Sequence, residues 1–486
     1  MIQAGWVGGV LAAATVAALA GGAGENRAPN SPLLVRAWIK QRKPKTFPTR
    51  TLDHLNGFAS RPVRLGPYGG WADKKQKATG FFHTRRIAGR WWLIDPQGLQ
   101  FLHLAVNSVR PGRGPQMRKA FARTFRTPAG WARETTRFLK AHGFNGTGSW
   151  SDDETNAKAS CRVAYTPNWN FMSSYGRLRG GTRQVAGHKA YPNDCIFVFD
   201  PAFETFADQH ARKLARTKED PFLLGHFSDN ELPLKRDLLD KALKLPATDA
   251  TYRAATAWLA QRRRGRANPR TITDEDREAW RGHVAETYFA ICARAIRKHD
   301  PNHLYLGSRL YGSEKRSRAV IEAAGRHLDV LAVNVYGVWT PGADMLGRWA
   351  SWSARPVLVT EWYAKGADSG LANRTGAGWT VPTQADRGRF YQNFTLALLE
   401  SRCCVGWHWF KYQDNDPSDP STDPSNRDSN KGIVTASYEP YRPLLRAMKQ
   451  LNEAAYPLTE HFDRGRIAGR GGAKAVTTAP SRPGRR

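Results

Sequence analysis

Two stretches of this chain end an apolar run on a glutamate. PFLLGHFSDNELP (221–233) passes from Phe-Leu-Leu to Ser-Asp-Asn-Glu and then meets Pro233. Four polar residues in a row do not suit a strand interior, and a proline ends any ladder, so Glu231 belongs at a strand tip. PVLVTEWYAKG (356–366) repeats the pattern with a β-branched run, Glu361, two aromatics and Lys365. Two carboxyl groups can cleave a glycosidic bond between them. One must be protonated to help the leaving oxygen, and the other ionised to attack the anomeric carbon or stabilise its charge. A separation of about 5–5.5 Å would give retention of configuration through a covalent intermediate. Asp229 beside Glu231 is expected to raise its pKa, and Tyr336 and Arg309 near Glu361 to keep it ionised. The roles therefore read as acid/base for Glu231 and nucleophile for Glu361. Taken singly, a strand-end glutamate is more readily a surface or salt-bridged group; the pair in one setting points to catalysis.

Holding these groups across one bond calls for walls that face each other. Eight short apolar runs occur, over 101–109, 144–150, 161–169, 222–231, 303–312, 329–336, 356–362 and 404–412, separated by helical patterns long enough for crossovers. Strands apolar nearly throughout suit a parallel sheet covered on both faces. The fold class predicted is α/β, a (β/α)8 TIM barrel with long βα loops. A doubly wound open sheet is the alternative, and no Gly-rich dinucleotide fingerprint follows the first strand. Barrel enzymes place their reacting groups at the C-terminal strand ends. Here those ends carry Asn107, Trp150, Asp229, Asn230, Glu231, Arg309, Asn334, Tyr336, Glu361, Trp407 and Trp409, with Lys411 close behind. Carboxylates, amides and aromatics fit a sugar site, where a flat ring covers the C–H face of a pyranose. Most of the seventeen tryptophans are equally well read as core.

The net charge is +32, and much of it sits in 36–50, 261–270 and 464–486. Such segments suit a nucleic acid, an anionic lipid, a sulfated or carboxylated polymer, or simply a solvated surface. No zinc-finger, RNA-recognition or basic-zipper pattern occurs, so no nucleic-acid partner is indicated. The apolar run Trp6–Ala20 ends in Ala-Leu-Ala and reads as a signal peptide, although Met-Ile-Gln before it carries no Lys or Arg. A secreted or periplasmic location is therefore expected, with no stable membrane insertion. The organisation expected is a signal peptide over 1–20, an N-terminal extension over 21–77, a catalytic barrel over 78–455 and a basic flexible tail over 456–486. Five cysteines without CxxC spacing indicate no zinc site; Cys161 and Cys195 form the candidate disulfide if the protein is exported, and buried thiols otherwise. The run DNDPSDPSTDPSNRDSN (414–430) does not match a calcium loop and reads as Asx turns over the barrel mouth. No cofactor or metal is called for, and no serine-hydrolase elbow or HExxH occurs.

GHFSDNELP, VTEWYAKGADSGLANRTGAGW and VGWHWFKYQDNDPSDPSTDPSNRDSNKGIV together resemble the β-agarase family within clan A of the retaining glycoside hydrolases. GRWWLIDPQG, FNGTGSWSD and RGRFYQNF extend the resemblance over roughly Gly89–Val434. It implies Glu231 as acid/base and Glu361 as nucleophile. It further implies Asn230 bonded to the hydroxyl beside the anomeric centre, Tyr336 bonded to the nucleophile, and Trp407 or Trp409 as the sugar platform. The implied reaction is hydrolysis of β-1,4 galactosidic bonds in agar-type galactans. Larger members carry a β-sandwich module before the barrel, and the stretch over 21–77 is too short for one. The substrate expected is a polysaccharide or oligosaccharide, an anionic one included. Another β-galactoside, a β-glucan or a β-mannan keeps the same mechanism. A non-catalytic polysaccharide-binding barrel is the reading from another class, and it has no need for both glutamates.

Overall fold

The computed structural model describes residues 33–265 and 269–471. The signal-peptide run, the centre of the 261–270 excursion and the end of the basic tail lie outside the described residues.

The eight apolar runs each yield a short, buried strand: β1 (His103–Val106), β2 (Gly146–Thr147), β3 (Ala164–Tyr165), β4 (Gly225–Phe227), β5 (Leu304–Gly307), β6 (Leu331–Asn334), β7 (Val357–Glu361) and β8 (Cys404–Trp409). Six of them form one parallel sheet in the order β6-β7-β8-β1-β2-β3, and β4 pairs with β5 in a second parallel sheet. Isolated parallel bridges join the two sheets, Tyr165 to Leu223 and Asn168 to Phe227 on one side and Leu310 to Val333 on the other. The result is a mixed α/β fold in which the ladder expected as one continuous barrel is divided between two sheets and the bridges between them. Where β8 passes β1 the backbones crowd: a Cβ on Gly406 would sit 2.4 Å from the carbonyl oxygen of His103, so only glycine fits.

Helices fill the crossovers. They include α1 (Pro128–Ala141), α2 (Phe171–Arg179), α3 (Pro201–Ala211), α4 (Asp274–His299), α5 (Arg318–His327), α6 (Ala343–Ser353), α7 (Gln384–Glu400) and α8 (Arg442–Gly471). The starts of α4 and α7 are fixed by reciprocal capping boxes, Thr273 with Asp276 and Thr383 with Asp386. Side chains from β3 to β8 (Ala164, Phe227, Leu306, Ala332, Leu358 and Val405) share one apolar cluster with Phe82, Leu93 and Phe101. Phe101 and Leu93 come from a four-stranded antiparallel sheet, 71–75, 99–101, 90–94 and 83–87, that leads into β1. This sheet closes the N-terminal end of the strands and leaves the C-terminal end open.

Two of the segments expected outside the barrel contain ordered elements. The extension over 21–77 contains the hairpin 33–37/45–49, in which Phe47 stacks on Trp339 at 5.1 Å and meets Trp379 edge-on at 4.9 Å. It also supplies strand 71–75, with Trp71 buried. The tail drawn from 456 continues α8, and its residues Tyr456 and Leu458 are buried. A proline at 457 and the basic residues beyond it hid this helix in the sequence. All five cysteines are free thiols, so Cys161 and Cys195 are not bridged. Among the described residues no helix is long and apolar enough to cross a membrane.

Candidate active site

At the open end, the loops following all eight strands line one cavity of about 570 Å³. That size suits a few sugar rings. Ser108 after β1, Trp150 after β2, Asn170 after β3, Asn230 and Glu231 after β4, Tyr311 after β5, Tyr336 after β6, Glu361 and Tyr363 around the end of β7, and Phe410 after β8 all face it.

The strand ends turn sharply. Ser108, Trp150, Glu231 and Arg309 adopt φ of 55°, 62°, 52° and 52°, the left-handed region that L side chains rarely occupy. At Glu231 the turn breaks the period-two alternation, so that Asn230 and Glu231 both reach the cavity while Asp229 does not. The Asp229 carboxylate is buried against the start of α2. It accepts hydrogen bonds from the Met172 and Ser173 amides (2.7 and 3.1 Å), from Ser173 Oγ and from the Tyr288 hydroxyl. It serves the exposed amides of a helix N-terminus.

The two glutamates meet different partners. Glu231 Oε1 accepts from Asn334 Nδ2 at 2.8 Å, and the same amide reaches Asn230 Oδ1 at 3.2 Å. Thr360 Oγ1 donates to Asn334 Oδ1 and fixes the amide's orientation. Desolvation in the recessed cavity, followed by the Glu361 charge, pushes the Glu231 pKa up to about 8. The shift expected from Asp229 therefore arises from burial and from Glu361 instead. Glu361 Oε1 accepts from Arg309 Nη2 at 2.7 Å and Oε2 from the Tyr336 hydroxyl at 2.5 Å. Arg309 is fully buried, with Nη2 also on the Thr360 carbonyl and its guanidinium 4.3 Å from the Trp150 ring. Burial lowers the Arg309 pKa from its ordinary value, and the nearby Glu361 charge opposes that shift.

Of the residues singled out from the sequence, Trp150, Asn230, Glu231, Tyr336, Glu361 and Lys411 line the cavity. Arg309 and Asn334 stand behind it, each holding a glutamate. Asn107 is buried and donates to the Thr360 carbonyl at 2.8 Å. Trp407 and Trp409 do not line the cavity. Both are fully buried, with Nε1 of Trp407 on the Tyr391 hydroxyl and Nε1 of Trp409 on the Lys431 carbonyl. The faces open to a sugar belong instead to Trp150, Tyr311, Tyr363 and Phe410. Tyr311, Tyr363 and Phe410 each sit one or two residues past a strand-end residue already singled out, the positional signal that could have found them.

The loop 414–430 forms another wall. Its three Asp-Pro-Ser units fold alike, with Ser418, Ser421 and Ser425 amides donating to Asp416, Asp419 and Asp423 at 3.0, 2.9 and 2.8 Å. These are the Asx turns expected from the sequence. Among the described residues one cluster, His226, Asp300 and His303, has metal-ligand spacing. Its ligand atoms are already engaged: Asp300 bonds both imidazoles, Trp169 Nε1 donates to His226, and His303 Nε2 meets the Asp220 carbonyl. The cluster is buried away from the cavity and ties β4 to the start of β5.

No family model matches the chain. The chain is similar to β-agarases. It is 24% identical to β-agarase B of Vibrio sp. (strain JT0107), over 80% of this chain and 50% of that protein. It is 25% identical to β-agarase A of the same strain, over 67% of this chain and 36% of that one. The chain thus spans about half the length of the first of these relatives and less of the second. The crystal structure of BpGH50 superposes with a TM-score of 0.79 and 29% identity, covering 90% of this chain and 98% of that one. The agarase AgWH50C shares the fold, with a TM-score of 0.68 and 22% identity over 82% of this chain and 67% of its own.

Proposed function

We propose that this chain is a glycoside hydrolase that cleaves β-galactosidic bonds in agar-type polysaccharides with retention of configuration. The observation that carries the reading is the pair Glu231 and Glu361 on one cavity in contrasting surroundings. Glu231 keeps its proton through neutral pH and protonates the leaving oxygen; Glu361 attacks the anomeric carbon. Water, deprotonated by Glu231 on its return step, then releases the sugar from Glu361. Tyr336 and Arg309 orient the attacking carboxylate, and Asn334 orients the acid. Trp150, Tyr363 and Phe410 offer apolar faces to the sugar rings. The similarity to the two β-agarases supports galactan as the substrate.

In this reading the eight strands close as a (β/α)8 barrel, supported by the parallel bridges between the two sheets and by the apolar cluster shared by β3 to β8. The catalytic unit then includes the 33–49 hairpin and α8, and the enzyme is exported by its N-terminal apolar run.

The test is product analysis on defined agar oligosaccharides, with the anomeric configuration of the first product read by NMR. β product is expected. First-formed α product overturns retention, and no cleavage of any galactan overturns the assignment.

A further inference from the structure

The wall of the cavity next to Glu361 is positively charged. Lys411 and Lys431 both line it, the first half-buried and the second buried. Lys431 is 2% exposed. Neither ammonium forms an ion pair with a carboxylate among the described residues. Lys411 Nζ donates to Asn415 Oδ1 at 2.6 Å, and Lys431 Nζ to Asn426 Oδ1 at 2.6 Å and the Ser425 carbonyl at 2.7 Å. Every one of these acceptors is neutral. Lys431 also lies 4.8 Å from the Tyr363 ring and 5.3 Å from the Phe410 ring, two surfaces of the same cavity. Arg110 faces the cavity as well, and its guanidinium makes no hydrogen bond or ion pair among the described residues.

The carboxylates close to this wall are already engaged. Asp423 accepts from the Gly187 and Ser425 amides and from Gln184, and Asp419 from Ser421. Glu361 is held by Arg309 and Tyr336. Burial, followed by the Arg110 charge at Lys411 and the Lys411 charge at Lys431, lowers both pKa values to about 7. A chain gains nothing in stability from such a pair. The arrangement becomes favourable once an anion enters between the cations, because charge-assisted hydrogen bonds are about twice as strong as neutral ones.

We propose that Lys411, Lys431 and Arg110 form a subsite for an anionic substituent on the sugar chain, a sulfate ester or a carboxylate, beside the scissile bond. The inference rests on the hydrolase reading for the sugar but not for the anion. The preferred substrate is then a charged galactan rather than neutral agarose.

The test uses the full-length wild-type protein and thio-linked galactose disaccharides, which are not hydrolysed. They carry a sulfate at one hydroxyl, a uronic carboxylate, or neither charge, and binding is measured by titration calorimetry. A charged ligand should bind at least tenfold tighter than the neutral parent. The sulfate and carboxylate arms identify which anion the subsite takes. In Lys411→Gln and Lys431→Gln the preference should collapse to less than threefold. Equal affinity across the panel overturns the subsite, and so does a preference that survives both substitutions. Hydrolysis of the oxygen-linked counterparts, run in parallel, separates the two readings. Cleavage with equal affinities leaves the hydrolase and removes the subsite; charge-selective binding without any cleavage does the reverse.

Discussion

Glu231 and Glu361 follow or end strands of the two different sheets and border one cavity, yet the groups around them differ in kind. On the Glu231 side the contact is an amide, Asn334, itself fixed by Thr360, and burial, followed by the Glu361 charge, acts on the carboxyl. On the Glu361 side it is a guanidinium and a phenol. The first setting favours a carboxyl group that keeps its proton; the second aims donors at a carboxylate and fixes where its lone pairs point. Two identical side chains thus meet different surroundings, set by what the neighbouring strands place beside them, and the proposed division of roles rests on that difference.

The sharpest way to break that contrast is at Glu361. Glu361→Gln should lower kcat by about 10⁴-fold or more, because an amide cannot form the glycosyl ester. Its melting temperature should stay within a few degrees of wild type; near-wild-type turnover would remove the nucleophile assignment. Next comes Glu231→Ala, expected to cost about 10²–10⁴-fold on polysaccharide. On an aryl galactoside with a good leaving group, azide should restore turnover and give the β-azide, whereas azide rescue of Glu361→Ala should give the α-azide. NMR of the two products decides, and the opposite pattern swaps the roles.

The partners give smaller effects. Tyr336→Phe should lower kcat about tenfold or more with little change in KM, since it removes one donor from Glu361. Asn334→Ala should act instead on the pH profile, shifting the basic limb because the acid loses its one side-chain hydrogen bond. Equal behaviour of the two variants would erase the comparison. The last measurement is a carboxyl carbon NMR titration of Glu231. Its folded pKa is raised, so the proton should stay through neutral pH and leave near pH 8, and activity should fall above that. In Glu361→Gln the neighbouring charge is gone, and the Glu231 titration should move to lower pH while remaining above the ordinary glutamate value, because the burial remains.

Much of this was legible in the sequence because an apolar run that stops at a charged residue fixes both a strand and its end. That argument located β4 with Glu231, β7 with Glu361, and the supporting Arg309, Asn334 and Tyr336. It failed where side-chain direction mattered. Trp407 and Trp409 looked like a sugar platform, but within β8 alternate residues share a face. The central His408 pairs with His103 at 2.9 Å, and its two neighbours pack among Tyr391 and Trp362 instead. Asp229 failed for the converse reason: a left-handed residue two positions on reset the alternation, and no periodicity argument anticipates that. Lys411 was singled out in the sequence but its pairing with Lys431 was not, because the two are twenty residues apart and meet only when the Asp-Pro-Ser loop folds back, bringing the Lys411 amide to the Lys431 carbonyl at 3.0 Å.

The left-handed corners at Ser108, Trp150, Glu231 and Arg309 bear on how this protein can be altered. An L residue held there costs on the order of 1 kcal/mol or more, a strain that glycine would not feel. Directed evolution for heat resistance would therefore be drawn to glycine at these corners. At Trp150, Glu231 and Arg309 that gain would delete a side chain the cavity depends on, and Ser108 is the corner where the conflict is mildest. Thermostability and turnover should therefore oppose each other at the strand ends and be separable elsewhere. A library selected on melting temperature alone should accumulate inactive clones at those positions first.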